Sequence, residues 1–342
     1  MLTLAHEIEF KSRVNRIGWM LSIMIGVMNV LAIINEMFIG VLWSIGSEKL
    51  TVSLGAIVDT VCYLGYFFIP VTLFYVMSRN KPVEPIKFMP KFSKYLPLMI
   101  LAGIGISFGA GVVNDWFSQA IGYVLPYDDT SRYMNDPEVV ALFMTLSLAP
   151  AFAEELLFRG VIYTNLRPYG KVFAVLVSSV AFGLMHQNVD QLFYTTVAGI
   201  CLALIYEATG SIWGSVFMHM FNNLFAVFQT AVMYRYDEAS ALVILYLSQA
   251  LVIFLGVVSL IILICVKRKQ ENDCEKDVAV PPQGTFGDHR AAEPEPYDLP
   301  MPMRRAVKLS LKAPGVICFL VLAIGSALML VVMYSGGGGM PV

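Results

Sequence analysis

The chain has 342 residues, of which 57% are hydrophobic and only 14% are charged, and its formal net charge is −2. Soluble domains carry about 25% charged residues. The charges are also concentrated, since 17 of the 48 charged residues lie between Lys267 and Lys312. This composition excludes a soluble enzyme, a disordered chain and a secreted disulfide scaffold, and it indicates a polytopic membrane protein. The weakly acidic balance also argues against a nucleic-acid partner, which requires a basic surface.

Nine apolar runs approach or reach the roughly 20 residues that a membrane-spanning helix needs. The polar N-terminal stretch and the first run lack the short apolar core and cleavage site of a signal peptide, so the first run is predicted to be a retained helix. We therefore predict an all-α bundle of eight or nine transmembrane helices. The runs are Ile17–Trp43, Val52–Met77, Tyr95–Val113, Val139–Thr164, Val172–Met185, Leu192–Tyr206, Ile212–Met233, Ala241–Val266 and Pro314–Tyr334.

The fifth and sixth runs are short and are separated only by the sequence HQNVDQ, which predicts a tight hairpin. Basic residues cluster before the first run, after the second, between the fourth and fifth, and after the eighth. This alternation predicts a cytoplasmic N-terminus and a multi-pass protein of a prokaryotic plasma membrane.

The runs divide the chain into five parts. Residues 1–137 carry the first three helices, 138–235 a core of four helices, and 236–266 the eighth helix. Residues 267–312 form a polar, Pro-rich linker that is expected to be disordered, and 313–342 carry a last helix and a short tail. No internal repeat is visible, so the inverted-repeat plan of many transporters has no support.

Ionisable residues at membrane depth are costly and are candidates for function. Glu36 and Asp59 stand alone in their helices and are expected to be hydrogen-bonded within the bundle. Glu207 is expected to reach the membrane interface. The remaining candidates fall into three motifs on three helices of the core.

The first motif lies in APAFAEELLFRG. Glu155 and Arg159 are four residues apart and share one helix face, which predicts a salt bridge between them. Glu154 points about 100° away from that face and is left free. The second motif, FGLMHQ, places Phe182 and His186 one turn apart.

The third motif, HMFNN, places His219 and Asn223 one turn apart. Each motif alone is typical of packing or of interhelical hydrogen bonding. Their occurrence together on one bundle indicates a site. At 1.5 Å per residue, Glu154 and His186 lie at matching depth, roughly 21 and 24 Å from the turn that joins their helices. His219 lies about 13 Å from its own turn, a mismatch of roughly 10 Å.

These groups suit peptide hydrolysis, which requires an activated water, a stabilised oxyanion and a proton for the leaving amine. Glu154 with His186 is suited to activating the water. His219 and Asn223 are suited to stabilising the oxyanion. As an alternative, Glu154, His186 and His219 form a possible His₂Glu zinc site, although no HExxH sequence supports a standard zincin.

The three motifs, in this order and spacing, resemble those of the CPBP family, also called the Abi family, which includes CAAX prenyl proteases and bacteriocin-processing enzymes. The resemblance covers roughly residues Val139 to Ala226. It implies an intramembrane endopeptidase in which Glu154 and His186 activate water and His219 with Asn223 forms the oxyanion site. Glu155 and Arg159 complete the first motif, and Phe182 belongs to the second.

Family members have been described both as metalloproteases and as metal-independent glutamate proteases, and the metal-independent form is favoured here. The expected partners are the lipid bilayer and a membrane-associated or lipidated peptide or protein. Two other classes remain open: a non-catalytic scaffold or bacteriocin self-immunity protein of the same fold, and a proton-coupled transporter with a buried Glu/His relay.

Overall fold

The computed structural model describes residues 4–45, 48–89, 93–120, 147–278 and 301–335. These residues form helices and no strand, which confirms the predicted all-α bundle. The helices are α1 (Leu4–Ile45), α2 (Glu48–Met77), α3 (Leu96–Ala120), α4 (Ala149–Glu155, continued by Leu156–Tyr163 and Thr164–Leu166), α5 (Lys171–Met185), α6 (Val189–Thr209), α7 (Ile212–Arg235), α8 (Glu238–Val278), α9 (Met303–Ser310) and α10 (Pro314–Ser335).

Seven of these helices, α1, α2, α3, α6, α7, α8 and α10, are long and apolar enough to cross a membrane. The fourth and fifth predicted runs correspond to the shorter α4 and α5, and the first part of the fourth run lies outside the described residues. The predicted tight hairpin is present, since only residues 186–188 separate α5 from α6. Gln187 turns this corner with a left-handed backbone, at a φ of 52°.

Helix α4 is the centre of the bundle. It packs against α2, α5, α6 and α7, and nearly all of its residues are buried. Burial on every side explains why most of its residues are apolar, and its charged residues Glu154, Glu155 and Arg159 are the exceptions. Its middle part, Leu156–Tyr163, is a π-helix. This form is rare in proteins, and where it occurs it often lies at a functional site.

Basic and acidic side chains tie the helix ends together on one face of the bundle. Arg13 of α1 pairs with Glu9 at 2.6 Å and with Glu84 of the loop after α2 at 3.3 Å. Arg167 forms a salt bridge of 2.7 Å with Glu207, and these hydrogen bonds raise the pKa of Arg167. The basic stretches at the start of α1, after α2 and after α4 therefore lie on one face of the bundle, which we call the basic face.

Two isolated carboxylates have different surroundings. Asp59 accepts a hydrogen bond of 2.6 Å from the amide of Asn35, as expected for a residue within the bundle. Glu36 is exposed, so the expectation of a bundle hydrogen bond was wrong for this residue.

The segment 267–312 is more ordered than expected. Helix α8 continues to Val278, and Met303–Ser310 forms α9, so the expectation of a disordered linker does not hold for these two stretches. Hydropathy does not detect them because their residues are polar. Helix α10 then packs on α1, where Asn15 accepts a 2.8 Å hydrogen bond from the backbone of Gly315.

Helices α3 and α8 approach closely at Gly105 and Gly256. A Cβ added to Gly105 would lie 2.6 Å from the Cα of Gly256, too close for any side chain. A small residue at such a crossing lets two helix backbones meet in a membrane.

We predict that Gly105→Ala destabilises the bundle by about 1–3 kcal/mol, the usual cost of overpacking. Gly109→Ala, one turn further along α3, is the matched control, because no atom of the described residues lies within 4 Å of the added Cβ. It should be neutral or stabilising, since alanine is the better helix former. Unfolding of both variants in detergent provides the measurement, and equal stabilities would contradict the close crossing.

Candidate active site

Two helices, α4 and α7, bring four of the predicted site residues into one buried cluster. Glu154 and Glu155 end the first part of α4, Arg159 lies in its π-helical part, and His219 lies in α7. Their exposed fractions are 3%, 0%, 0% and 5%. Charged groups buried this deeply persist only when they are paired.

Glu155 is the shared acceptor of the cluster. Its Oε1 accepts a hydrogen bond of 2.7 Å from Nη1 of Arg159 and one of 3.0 Å from Nδ1 of His219. Arg159 also donates through Nη2 to the backbone oxygen of Gly199 in α6, at 2.9 Å. The Glu155–Arg159 pair follows the predicted i, i+4 spacing, and the cluster joins α4, α6 and α7.

Glu154 has one oxygen bonded and one left over. The hydroxyl of Tyr63 in α2 donates to Oε1 of Glu154. Oε2 is buried without a hydrogen-bond partner among the described residues and lies 3.8 Å from Nε2 of His219. An unpaired buried carboxylate oxygen is costly, and such groups are typical of reactive sites.

His219 has a defined proton at Nδ1, because the carboxylate of Glu155 can only accept hydrogen bonds. Its Nε2 then faces Glu154 across 3.8 Å. A carboxylate that fixes one nitrogen of an imidazole orients the ring for work at the other nitrogen.

His186 follows the last residue of α5 and keeps a proton on Nδ1 for the same reason, since Nδ1 lies 2.9 Å from the backbone oxygen of Phe182. The ring of Phe182 contacts His186 and His219 edge-on, with centroids 5.2 and 5.6 Å apart. The guanidinium carbon of Arg159 lies 4.8 Å above the same ring. Phe182 is therefore the apolar wall that holds the second and third motifs in place.

A cavity of about 30 Å³ lies beside this cluster, and we call it the site cavity. Its volume is sufficient for a water molecule. Both histidines and Asn223 line it, together with residues of α6 and α7. The full lining is Phe182, His186, Tyr194, Thr195, Ala198, Leu202, Met218, His219, Asn222 and Asn223.

The net charge of the cluster favours the binding of one additional proton. With Glu154, Glu155 and Arg159 all ionised, the cluster carries one excess negative charge. A buried uncompensated charge is costly, so a proton on either Glu154 or His219 is needed to balance it. Glu154 and His219 are thus arranged to share one proton, which either residue can carry.

The alternative zinc set predicted from the sequence is Glu154, His186 and His219. Among the described residues, no three His, Cys, Asp or Glu side chains lie close enough together to hold a metal ion, and no step through zinc is derived from this set.

Sequence analysis missed two features of the site. Tyr63 lies 91 residues before Glu154 and outside the three motifs, and a tyrosine in an apolar helix gives no signal of its partner. The sequence also predicted that His219 lies at a different membrane depth from Glu154. In the structure His219 lies beside both glutamates, with its ring nitrogens 3.8 Å from Glu154 and 3.0 Å from Glu155. The depth estimate assumed a regular α-helix throughout, whereas α4 is π-helical between Glu155 and Thr164.

The fold and the site together define a polytopic membrane protein with a buried Glu/Arg/His cluster. Residues 136–225 match the family of type II CAAX prenyl endopeptidase Rce1-like proteins. The resemblance inferred from the motifs is therefore confirmed over this segment.

Two curated relatives support this assignment. The chain is 29% identical over 158 residues to the "Putative membrane peptidase YdiL" of Bacillus subtilis (strain 168), a match that covers 44% of this chain and 64% of that protein. It is 28% identical over 176 residues to the "UPF0177 protein YvdC" of Lactococcus lactis subsp. lactis (strain IL1403), covering 49% and 65%. The chain thus spans slightly less than two thirds of either relative. No solved structure gives a significant match.

We predict that Arg159→Met lowers the free energy of unfolding by about 3–5 kcal/mol, because it leaves Glu155 charged and buried without its cation. Arg167→Met is the matched control: Arg167 is also bonded to a glutamate, but its side chain is 44% exposed. Exposed pairs contribute about 0–1 kcal/mol. Denaturant titration in detergent micelles compares the two, and equal losses would contradict the buried role of Arg159.

Proposed function

We propose that the protein is an intramembrane endopeptidase that hydrolyses a peptide bond with a water activated by Glu154 and without a metal ion. The observation that carries this proposal is the unpaired Oε2 of Glu154, buried 3.8 Å from Nε2 of His219. An oriented base beside an oriented acid is what amide hydrolysis requires.

The first step places a water between Glu154 and the site cavity. Oε2 of Glu154 accepts a proton from this water while its oxygen attacks the carbonyl carbon of the substrate. Nε2 of His186 carries no proton in the neutral ring, so it can accept the other hydrogen of the water and orient it. The product of this step is a tetrahedral oxyanion and a protonated Glu154.

His219 and Asn223 then stabilise the oxyanion. A proton on Nε2 of His219 balances the cluster before attack, while Glu154 is ionised. Once Glu154 has taken the proton of the water, the cluster has an excess positive charge, and the oxyanion supplies the missing negative charge. Donors aimed at charge that develops in the transition state give the largest single contribution in many enzymes.

The second proton transfer releases the products. Glu154 returns its proton to the leaving amine, the carbon–nitrogen bond breaks, and the carboxyl product leaves with the amine product. Glu155 and Arg159 touch none of the reacting atoms in this scheme. They position His219 and fix its Nδ1 proton.

The proposed substrate is a membrane-associated or lipidated peptide or protein. The match to prenyl endopeptidases supports a protease, and the membrane location of the site supports a substrate that is held at the bilayer.

We predict that Glu154→Gln reduces peptide cleavage by at least about 100-fold, the usual contribution of general acid–base catalysis. The assay is a quenched fluorescent peptide library, half of it farnesylated, with detergent-purified protein. Glu36→Gln, which removes an exposed carboxylate of α1, is the control and should retain activity.

The same assay with a zinc chelator tests whether cleavage requires a metal ion. Activity retained with chelator supports the proposed mechanism. Activity lost with chelator and restored by zinc would instead make Glu154, His186 and His219 metal ligands. Equal cleavage by wild type and Glu154→Gln would contradict the site assignment.

We predict that Tyr63→Phe lowers kcat, because Glu154 loses the hydroxyl donor that orients its carboxylate. Tyr66→Phe is the matched control, since the ring of Tyr66 lies beside that of Tyr63, with centroids 5.7 Å apart, but has no hydrogen bond to Glu154. The peptide-cleavage assay measures both variants. If both cleave at the wild-type rate, Tyr63 does not position Glu154.

A further inference from the structure

A polar cleft of about 290 Å³ adjoins the site cavity. Tyr194, Asn222 and Asn223 line both spaces, so the cleft and the cavity are continuous. The cleft is lined by α3, α6, α7 and α8. Its full lining is Ser107, Phe108, Gly111, Asp115, Gln191, Tyr194, Asn222, Asn223, Phe225, Ala226, Gln229 and Gln249.

The polarity of this lining is unusual in an apolar bundle. Five of its side chains are amides from three different helices: Gln191, Asn222, Asn223, Gln229 and Gln249. Polar side chains at membrane depth are tolerated where they line a water-filled space. The cleft is therefore suited to a polar ligand, and an acyl or prenyl chain would leave these amides without partners.

The chemistry of the lining points to a polypeptide backbone. An amide side chain both donates and accepts hydrogen bonds, as a peptide group does. Oδ1 of Asn222 is buried without a hydrogen-bond partner among the described residues, so it can accept from a backbone N–H of a bound chain. A hydrogen bond to such an unpaired acceptor contributes more to the free energy of ligand binding than one to an acceptor that is already bonded.

The charged residues of the lining further restrict the ligand. Asp115 is acidic, and no lysine, arginine or histidine of the described chain lines the cleft. A carboxylate of a ligand bound in the cleft would therefore meet no cationic side chain of the lining. The cleft favours an internal stretch of chain with neutral or basic side chains over an acidic stretch or a C-terminal carboxylate.

The cleft lies in the half of the bundle away from the basic face. Gln191 and Tyr194 are near the start of α6, whereas Glu207, which binds Arg167 on the basic face, is near its end. The distance between Gln191 and Glu207 along α6 is about 24 Å at 1.5 Å per residue. A ligand reaches the cleft from the opposite face.

We propose that this cleft binds an extended, internal stretch of polypeptide with neutral or basic side chains, which enters from the face opposite the basic face. The proposal rests on the proposed protease function, because it makes the cleft the substrate-binding part of the same site.

Binding is measured without cleavage, by fluorescence anisotropy on detergent-purified Glu154→Gln protein. The probes are two labelled pools of random decapeptides, acetylated and amidated at their ends, one of neutral and basic residues and one enriched in acidic residues. The neutral and basic pool should bind more tightly. Gln229→Leu and Gln249→Leu should each weaken it about 3- to 10-fold, the loss expected for one hydrogen bond.

The matched controls are the sequence neighbours Thr230→Val and Ser248→Ala. These hydroxyls bond to the backbone of their own helices at Ala226 and Leu245, so their loss should leave binding unchanged. The proposal is overturned if the leucine variants bind like these controls, if the acidic pool binds as well as the other, or if neither pool binds.

A labelling experiment tests the side of entry. A membrane-impermeant maleimide should reach Gln229→Cys and Lys308→Cys from opposite sides, in intact cells and in inside-out vesicles, above the labelling of wild type. Reaction of both from one side would overturn entry from the opposite face.

The outcomes separate this proposal from the protease function. Peptide binding that the leucine variants weaken, with no cleavage by wild type, supports the cleft and contradicts the protease. Cleavage that the leucine variants leave at the wild-type rate supports the protease and contradicts the cleft.

Discussion

A single carboxylate oxygen, Oε1 of Glu155, organises the site. It accepts hydrogen bonds from Arg159 of its own helix and from His219 of α7, and Arg159 extends the connection to the backbone of Gly199 in α6. Leaving this carboxylate buried without Arg159 and His219 would be very costly. Pairing its charge therefore favours the arrangement in which α4, α6 and α7 pack together. The position of His219, and through it the space beside Glu154, follows from this constraint.

The two adjacent glutamates are therefore divided in function by their surroundings. Oε1 of Glu155 accepts hydrogen bonds from Arg159 and His219, whereas Oε1 of Glu154 has a single neutral donor, Tyr63. Oε2 of each glutamate has no hydrogen-bond partner among the described residues, and Oε2 of Glu154 is the one that faces Nε2 of His219. The same residue type supplies a structural anchor and a reactive base because neighbouring positions on a helix point in different directions. In the proposed hydrolysis a proton on His219 balances the excess negative charge of the cluster, and Glu154 takes a proton from the water and returns it to the leaving amine.

Local spacing allowed part of this to be predicted. The Glu155–Arg159 pair and the shared face of Phe182 and His186 follow from the helical repeat alone. The nine apolar runs were also visible, because lipid requires a long apolar surface. Contacts between distant segments could not be predicted: Tyr63 meets Glu154 only through the packing of α2 on α4. Helix α9 and the last part of α8 were also missed. The helices were predicted from long apolar runs, and these two stretches contain no such run.

The central claim is that Glu155 and His219 act as one unit, and a double-mutant cycle tests it most directly. Glu155→Gln, His219→Gln and the double variant are compared with wild type by reversible unfolding in detergent. Residues in one hydrogen-bond network show coupling energies of about 0.5–3 kcal/mol, and independent sites are additive within about 0.5 kcal/mol. This account predicts a coupling of at least about 1 kcal/mol, within the range for one network. Additive losses would contradict it, because they would show that the two residues do not support each other across the helix interface.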